Sequence, residues 1–297
     1  MERRRLGASD LEITPVGVGT APISSLPGVW WVNWGPQDED DSARAIHAAL
    51  DGGVNWVDTA PFYGWGHGEG VVGRALRGRD DVLVFTKCGT KRRPDGDDHM
   101  DLSPAAIRED VEGSLRRLGR ERLDLLQLHD RDPSVPIEES WGAVLELVAE
   151  GKVRHGGISN HRPEEVDRAL AVGPVAAIQV EYSAAARRVE EAVLPHALER
   201  GLGVIVWAPL ASGFLTDGFS VDALAPDDFR RTHPFAERDF AELHDELRAR
   251  GGTVVEGAVR FVLDHPAVTG AIVGARNERE GRDLAALAAR YPYDPAP

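Results

Sequence analysis

The chain has 297 residues, 42% hydrophobic and 28% charged, enough to bury a large core. Its net charge of −15 argues against nucleic acid or an anionic membrane surface as partner, and requires any phosphate site to be locally basic or built from backbone N–H groups. The single Cys88 excludes an internal disulfide framework and a cysteine metal cluster; no apolar run approaches membrane-spanning length and segment 1–10 lacks a signal-peptide core, so the cytoplasm is expected.

Residues 5–14 alternate around a Gly-Ala-Ser-Asp turn and predict a short hairpin. Val16–Thr20 reads as a brief strand containing Gly19, and the loop over 21–40 carries Trp30, Trp31 and Trp34. Ala43, Ile46, Ala49 and Leu50 then share one helical face. Val54, Trp56 and Val57 form a buried strand ending at Asp58. Pro61, Gly64, Gly66 and Gly68 open it into a loop that holds Tyr63 and Trp65, before a helix beginning near Glu69.

The same unit recurs along the chain. Strand Val82–Thr86 ends at Lys87 and precedes a helix capped by Ser103, with Pro104 in its first turn and an Ile107/Val111/Leu115/Leu118 stripe. Leu123–Leu128 ends at His129, before a helix stopped by Gly151. Val153–Ile158 ends at Ser159 and Asn160, and Ala177–Val180 ends at Glu181, followed by a helix reaching Arg200. Val204–Val206 ends at Trp207; Gly270–Val273 ends at Gly274, before a last helix over 277–290. An irregular excursion over 212–240 separates these last two strands and is followed by two helices of its own, the second starting at Thr253.

Eight strands, each followed by a helix, predict an α/β fold of the (β/α)8 barrel type as a single domain over 1–297, with an N-terminal hairpin and a long loop before the last strand. A doubly wound open sheet is the alternative, but no G-x-G-x-x-G follows the first strand.

In a barrel, strand-end residues converge on one face, and that face carries the chemistry. Asp58, Tyr63, Lys87 and His129 stand at or just after successive strand ends. Asp58 can neutralise Lys87, whose charge at the end of an apolar strand would otherwise be costly. A cation beside a phenol favours the phenolate, so the Tyr63 pKa is expected below its usual value of about 10, nearer to what a general acid needs. His129 can donate to a substrate oxygen and orient it. Singly, each residue has an ordinary structural role open to it; their joint placement points to protonation of a carbonyl oxygen.

The motifs GVGT at 17–20, NWVDTAPFYGWGHGEGVVGRAL at 55–76, TK at 86–87, LDLLQLH at 123–129, GKVRHGGISN at 151–160, IQVEY at 178–182, WAPLASGFLT at 207–216 and IVGAR at 272–276 occur in this order over nearly the whole chain. Together they closely resemble the aldo-keto reductase superfamily, in its bacterial general or polyol-sugar branch. The resemblance implies an NAD(P)-dependent interconversion of an aldehyde or ketone with its alcohol. Tyr63 would be the general acid, Lys87 and Asp58 its tuning pair, and His129 the substrate orienter.

No metal-ligand spacing is present, so hydride must come from a nicotinamide. The resemblance implies that Ser159, Asn160 and Gln179 hold its carboxamide, and that Trp207, where the family usually has Tyr, stacks on its ring. Leu210 and Ser212 would contact the diphosphate through backbone N–H groups, with Gly213 allowing close approach. Gly19, Thr20, Gly274 and Arg276 complete the expected cofactor contacts. The family commonly reads G-A-R-x-x-x-Q-x-x-E-N after the last strand. Here Glu280 stands at the Gln position, Asp283 at the Glu position and Leu284 at the Asn position. NADPH is expected, with NADH or dual use open, because a carboxylate at Glu280 would repel a 2′-phosphate.

Trp30, Trp31, Trp34 and Trp65 suggest an aromatic-walled pocket for a small carbonyl or alcohol substrate, with Phe214, Phe219 and segment 230–235 closing it and Asp97 and Asp98 as solvated surface charges. A monomer or weak homo-oligomer is expected. Two other readings keep the barrel: a lyase using Lys87 as a Schiff-base nucleophile, or a nicotinamide-binding regulatory subunit with vestigial catalysis.

Overall fold

The structure is a computed structural model that describes residues 1–291 other than Pro27 and Pro94. An N-terminal hairpin, β1 (Arg4–Arg5) and β2 (Glu12–Ile13), is antiparallel. The body alternates β3 (Val16–Gly19), α1 (Glu39–Asp51), β4 (Trp56–Asp58), α2 (His67–Ala75) and β5 (Leu83–Cys88). A second hairpin, β6 (Thr90–Arg92) and β7 (Asp98–Met100), precedes α3 (Pro104–Leu118), β8 (Leu123–Leu128), α4 (Ile137–Ala149) and β9 (Val153–Ser159). The chain continues through α5 (Pro163–Val172), β10 (Ala177–Glu181), α6 (Val193–Glu199) and β11 (Gly203–Trp207). After the excursion come α7 (Ala241–Gly251), α8 (Val254–Leu263), β12 (Gly270–Gly274) and α9 (Glu278–Ala289).

Eight of these strands close a parallel barrel in chain order, β3-β4-β5-β8-β9-β10-β11-β12, with β12 pairing back to β3. Successive strand residues point to opposite faces, and the apolar residues sort accordingly. Val57, Val84, Leu126, Ile158, Ile178, Val206 and Ala271 face the helices. Trp56, Phe85, Leu125, Ala177, Ile205 and Ile272 face inward and, with Leu6, Leu11 and Ile13 of the hairpin region, form a separate apolar floor. The Trp56 indole lies so close to β3 that a Cβ at residue 17 would fall 2.1 Å from its ring, hence Gly17. Its Nε1 donates to the Thr14 carbonyl at 2.9 Å.

The floor determines what stands above it. Two residues beyond Trp56, Phe85, Leu125, Ala177 and Ile205 on the same inward face are Asp58, Lys87, Gln127, Gln179 and Trp207. Asp58, Lys87, Gln127 and Gln179 are almost fully enclosed. A polar layer thus sits on an apolar one at the carboxyl end of the strands.

Two local expectations need correction. The helix expected from just after Glu181 to Arg200 is only Val193–Glu199; an isolated bridge pairs Ser183 with Ala186, and a 3-10 turn spans Arg188–Glu190. There Tyr182 donates to Glu190 at 2.6 Å and Arg187 pairs with Glu190, holding the segment across instead of along a helix axis. The stretch after Lys87 holds the β6–β7 hairpin. Its Asp97 and Asp98 are exposed, as expected of surface charges, and Asp98 also accepts from Trp31 Nε1 at 2.9 Å. Among the described residues no helix is long and apolar enough to cross a membrane.

Candidate active site

Lys87 is the hub. Its ammonium donates to Asp58 Oδ1 at 2.5 Å, to the Thr59 carbonyl at 2.9 Å and to the Tyr63 hydroxyl at 3.3 Å. An ammonium has three protons to place, and three oxygens receive them. The Asp58–Lys87 pair is 2% and 1% exposed, so neither charge is stabilised by bulk water. The second carboxylate oxygen of Asp58 accepts from Gln179 Nε2 at 2.9 Å, and Gln127 Nε2 lies 3.5 Å away.

Tyr63 reaches this hub from a 3-10 turn, Tyr63–Gly66, in which Gly64, Trp65 and Gly66 all have positive φ. A side chain at Gly64 would also fall 2.5 Å from the Ser24 carbonyl of the first loop. Below the turn, Glu69 is fully buried; it accepts from Thr86 Oγ1 and Arg117 Nε, each at 2.7 Å. The start of α2 is thereby pinned to β5 beside Lys87. His129 is held by its own N–H to the Cys88 carbonyl at 3.0 Å, and its ring stands edge-on to Tyr63, centroids 6.1 Å apart. Asp58, Tyr63, Lys87 and His129, spread over 72 positions from 58 to 129 in the chain, thus meet in one place.

The electrostatics differ from expectation in one respect. Burial pushes the Tyr63 phenol above its ordinary value; the Lys87 charge pulls the other way but does not outweigh it, and Asp58 adds to the rise. The expected depression is therefore not found in the protein alone, because a fully enclosed phenolate loses more hydration than one already neutralised ammonium returns. Burial works against the Lys87 charge too, yet Asp58 and Tyr63 together hold the ammonium above its usual range. Burial, and then the Lys87 charge, take the His129 imidazole well below its usual value, so it is neutral.

Beside the hub the barrel offers partners for a planar amide. Ser159 Oγ is enclosed and has no hydrogen-bond partner among the described residues. Asn160, at φ +59°, accepts from Trp207 Nε1 at 3.1 Å, which fixes the indole plane. Gln179 spends its amide N–H groups on Asp58 and Gln127, leaving its oxygen as the available acceptor. A carboxamide, with one donor and one acceptor, fits the orphaned Ser159 hydroxyl and that oxygen. Thr20 is turned away, its hydroxyl and N–H both donating to the Asp58 carbonyl.

Past Trp207 the chain has left-handed backbone at Ala208, Ala211, Ser212 and Gly213, a contorted turn of the kind that gathers N–H groups around an anion. Leu210 contributes its carbonyl, which accepts from Gly213 and Leu215. Arg230 approaches this turn: a Cβ at Gly213 would lie 3.1 Å from its Nη1. Arg230 is held by buried Asp228 at 2.6 Å and stacks over Trp34, 4.9 Å from the ring centroid. Arg276 donates to Gln37 Oε1 at 2.8 Å and the Pro36 carbonyl at 2.6 Å; burial and the Arg230 charge both press against its own. Glu280 folds back over the start of α9, accepting from the Arg276 N–H and from Asn277 Nδ2, each at 2.8 Å, while its N–H donates to Asn277. Gly274 is exposed at the rim between these groups and Pro22.

The four mouth tryptophans occupy different places. Trp30 is buried, 5.3 Å from the Phe62 ring and 5.9 Å from Tyr63, with its Nε1 unpartnered among the described residues. Trp65 stacks edge-on to Phe62, and Trp31 stands exposed at the rim. Trp34, half-buried and with its Nε1 also unpartnered among the described residues, packs against Phe229, where Asn33 and Asp227 also join the first loop to the excursion. Phe214 and Phe219 belong to a separate apolar cluster under the excursion.

Sequence reasoning missed Gln127 and the Glu69–Thr86–Arg117 network, and gave Arg230 only as the start of a segment closing the pocket. The alternation that placed Lys87 two residues past Phe85 would equally have placed Gln127 two past Leu125, and Glu69 sits on the Val72/Leu76 stripe of α2. The place of Arg230 beside Gly213 carries no such signal, since the geometry of the excursion sets it.

The Aldo/keto reductase family model matches residues 16–295. The chain is 35% identical over 289 residues to Aldo-keto reductase YhdN of Bacillus subtilis (strain 168), covering 93% of this chain and 85% of that protein. Among solved structures, the glycerol dehydrogenase AKR11B4 from Gluconobacter oxydans superposes with a TM-score of 0.81 at 35% identity, covering 99% of this chain and 98% of that one. An aldo-keto reductase from Klebsiella pneumoniae in complex with NADPH superposes with a TM-score of 0.72 at 30% identity, covering 97% and 89%.

Proposed function

The chain belongs to the aldo/keto reductase family, and from that premise we propose that it interconverts a small aldehyde or ketone with the corresponding alcohol, using NADPH. The observation that carries this reading is the enclosed Lys87 ammonium, shared between the Asp58 carboxylate and the Tyr63 hydroxyl beside a neutral His129. The nicotinamide supplies hydride when bound. Tyr63 gives its phenolic proton to the substrate oxygen, and Lys87 stabilises the phenolate left behind. Asp58 keeps the ammonium charged, while Gln179 and Gln127 satisfy the remaining carboxylate oxygen. His129 orients the carbonyl, and Trp30, Phe62 and Trp65 exclude water and cover its apolar side.

Ser159, Asn160 and the Gln179 oxygen would hold the carboxamide against Trp207. The Ser212–Gly213 turn with Arg230 would receive the diphosphate, and Arg276 the adenosine end. The Klebsiella relative in complex with NADPH supports the cofactor, and the Gluconobacter relative, a glycerol dehydrogenase, places small polyols and their carbonyl forms in the first assay panel.

The test is turnover of aldehydes, ketones and polyols with NADPH and NADH, followed at the nicotinamide absorbance, for the protein and Tyr63→Phe. The variant should lose at least about 1,000-fold in kcat, the upper part of the usual range for a proton-transfer group, and still bind NADPH. Reduction that survives in Tyr63→Phe would remove Tyr63 from the chemistry; trapping of a Lys87 adduct by borohydride would favour a lyase instead.

A further inference from the structure

Away from the Lys87 hub, His161 is a buried group that the proposed chemistry does not use. It is only 6% exposed. Its Nδ1 lies 2.7 Å from the Ser159 carbonyl oxygen. A carbonyl oxygen only accepts, so Nδ1 carries the proton and Nε2 of the neutral ring is a bare acceptor. Burial keeps the ring neutral, holding its pKa below the ordinary value against the pull of the Ser159 carbonyl and the Glu165 charge. Nε2 has no partner among the described residues, yet it is not sealed off: the ring lines a cavity of about 420 Å³, within the size range of small-molecule sites. None of Asp58, Tyr63, Lys87 and His129 borders that cavity.

Its wall has an apolar part, with Val135 and Ile137, and a polar part whose charges are already matched. Arg131 gives its Nε to both Glu165 oxygens, at 2.8 and 2.6 Å, and Arg168 gives Nε and Nη2 to Glu138. Both Nη groups of Arg131 and the Nη1 of Arg168 have no hydrogen-bond partner among the described residues. The cavity thus has donors to spare on two arginines and an acceptor to spare on His161. A further anion would meet guanidinium groups already neutralised and would lie near Glu165, so added negative charge is disfavoured. A hydroxyl accepts from one arginine and donates to His161 at once, and the C–H edges of its carbon chain suit the apolar part.

We propose that this cavity is a second ligand site, separate from the hub, for a small uncharged polyhydroxy compound, and that His161 passes its occupancy to the Ser159–Asn160 backbone. A hydroxyl bonded to Nε2 strengthens the Nδ1–H donor on the far side of the same ring, and with it the hold on the Ser159 carbonyl. The link to the cofactor rests on the proposed role of Ser159 and Asn160; the site itself does not.

The test titrates the full chain with xylitol and follows the 15N resonances of its histidine rings, assigned with His161→Asn and His129→Gln. The Nε2 signal of His161 should move upfield and saturate with a Kd of roughly 1–10 mM, as suits a small uncharged ligand. Val135→Trp, judged folded by its circular dichroism, fills the cavity and should abolish that response. Xylitol should also tighten NADPH binding about twofold, the scale of one cooperatively strengthened hydrogen bond, and should not do so in Val135→Trp. A shift confined to His129 would place xylitol at the hub alone and overturn the site. So would a His161 signal that ignores xylitol but follows inorganic phosphate, which would make the cavity an anion site. NADPH affinity unmoved by xylitol would overturn the link through Ser159. A protein that turned over no carbonyl compound would sink the proposed activity, while the titration, which needs no turnover, still decided the cavity.

Discussion

Tyr63 is a phenol whose enclosure costs its anion more than the neighbouring ammonium returns, so its folded-state pKa stands above the ordinary value of about 10. The sign of the pH dependence follows. In the proposed mechanism carbonyl reduction uses the protonated phenol, so it should stay level through neutral pH and fall only as pH rises through that raised value. By the same mechanism alcohol oxidation would need the phenolate and should climb toward alkaline pH. His129, neutral because burial and Lys87 depress its pKa, should add no inflection near its ordinary value of about 6.5. Profiles of kcat in both directions check this; reduction that declines between about pH 6 and 8 would show a different group, or a cofactor-induced drop in the Tyr63 pKa. At this scale the sequence was informative wherever a side chain's direction followed from alternation. Asp58, Lys87 and Gln179 lie two residues above apolar floor positions, and so does Gln127, which the same rule could have found. The Tyr63 pKa was not legible, because its sign depends on enclosure by Trp30, Phe62 and His129 from three separate segments.

Elements were legible in proportion to how far local pattern decides them. The barrel strands announce themselves as apolar runs, and Ser103, Thr253 and Asn277 each cap the helix that follows. The β6–β7 hairpin did not, since its residues are almost all polar and its pairing depends on Met100 packing toward the barrel. Helix α9 is the element with the sharpest functional consequence. An anion at a helix N-terminus is favoured by the exposed N–H groups and the dipole, and Glu280 already supplies one, closing a reciprocal cap with Asn277. A ribose 2′-phosphate arriving beside Arg276 would face that carboxylate. Glu280→Gln keeps the cap acceptor while removing the charge. It should raise the ratio of kcat/KM for NADPH over NADH by about five- to tenfold, the size of one partly exposed charge interaction of roughly 1 kcal/mol. Equal ratios in the two proteins would mean that the carboxylate plays no part in cofactor choice.

The whole molecule separates stability from chemistry along the barrel axis: an apolar floor sealed by the N-terminal hairpin, a charged layer above it, and aromatic loops at the rim. The floor turns on Trp56, which fills the space left open at Gly17, lies 5.2 Å from Phe85 and donates to Thr14. Replacing it with alanine leaves a cavity that the closed barrel cannot collapse around, because parallel strands on either side are held by their own ladders. The expected cost is about 3–5 kcal/mol, a fall in Tm of roughly 6–20 °C for a chain at or somewhat above 250 residues, measurable by far-UV circular dichroism. The charged layer draws its geometry from hydrogen bonds among Asp58, Lys87, Gln127 and Gln179, not from the indole two residues below. Well under the melting temperature, the folded Trp56→Ala protein should therefore retain kcat within about tenfold, a shift of at most 1.4 kcal/mol in barrier. If kcat instead fell as far as in Tyr63→Phe while Tm stayed put, the two layers would not be independent, and the floor would have to be counted among the parts that position the ammonium.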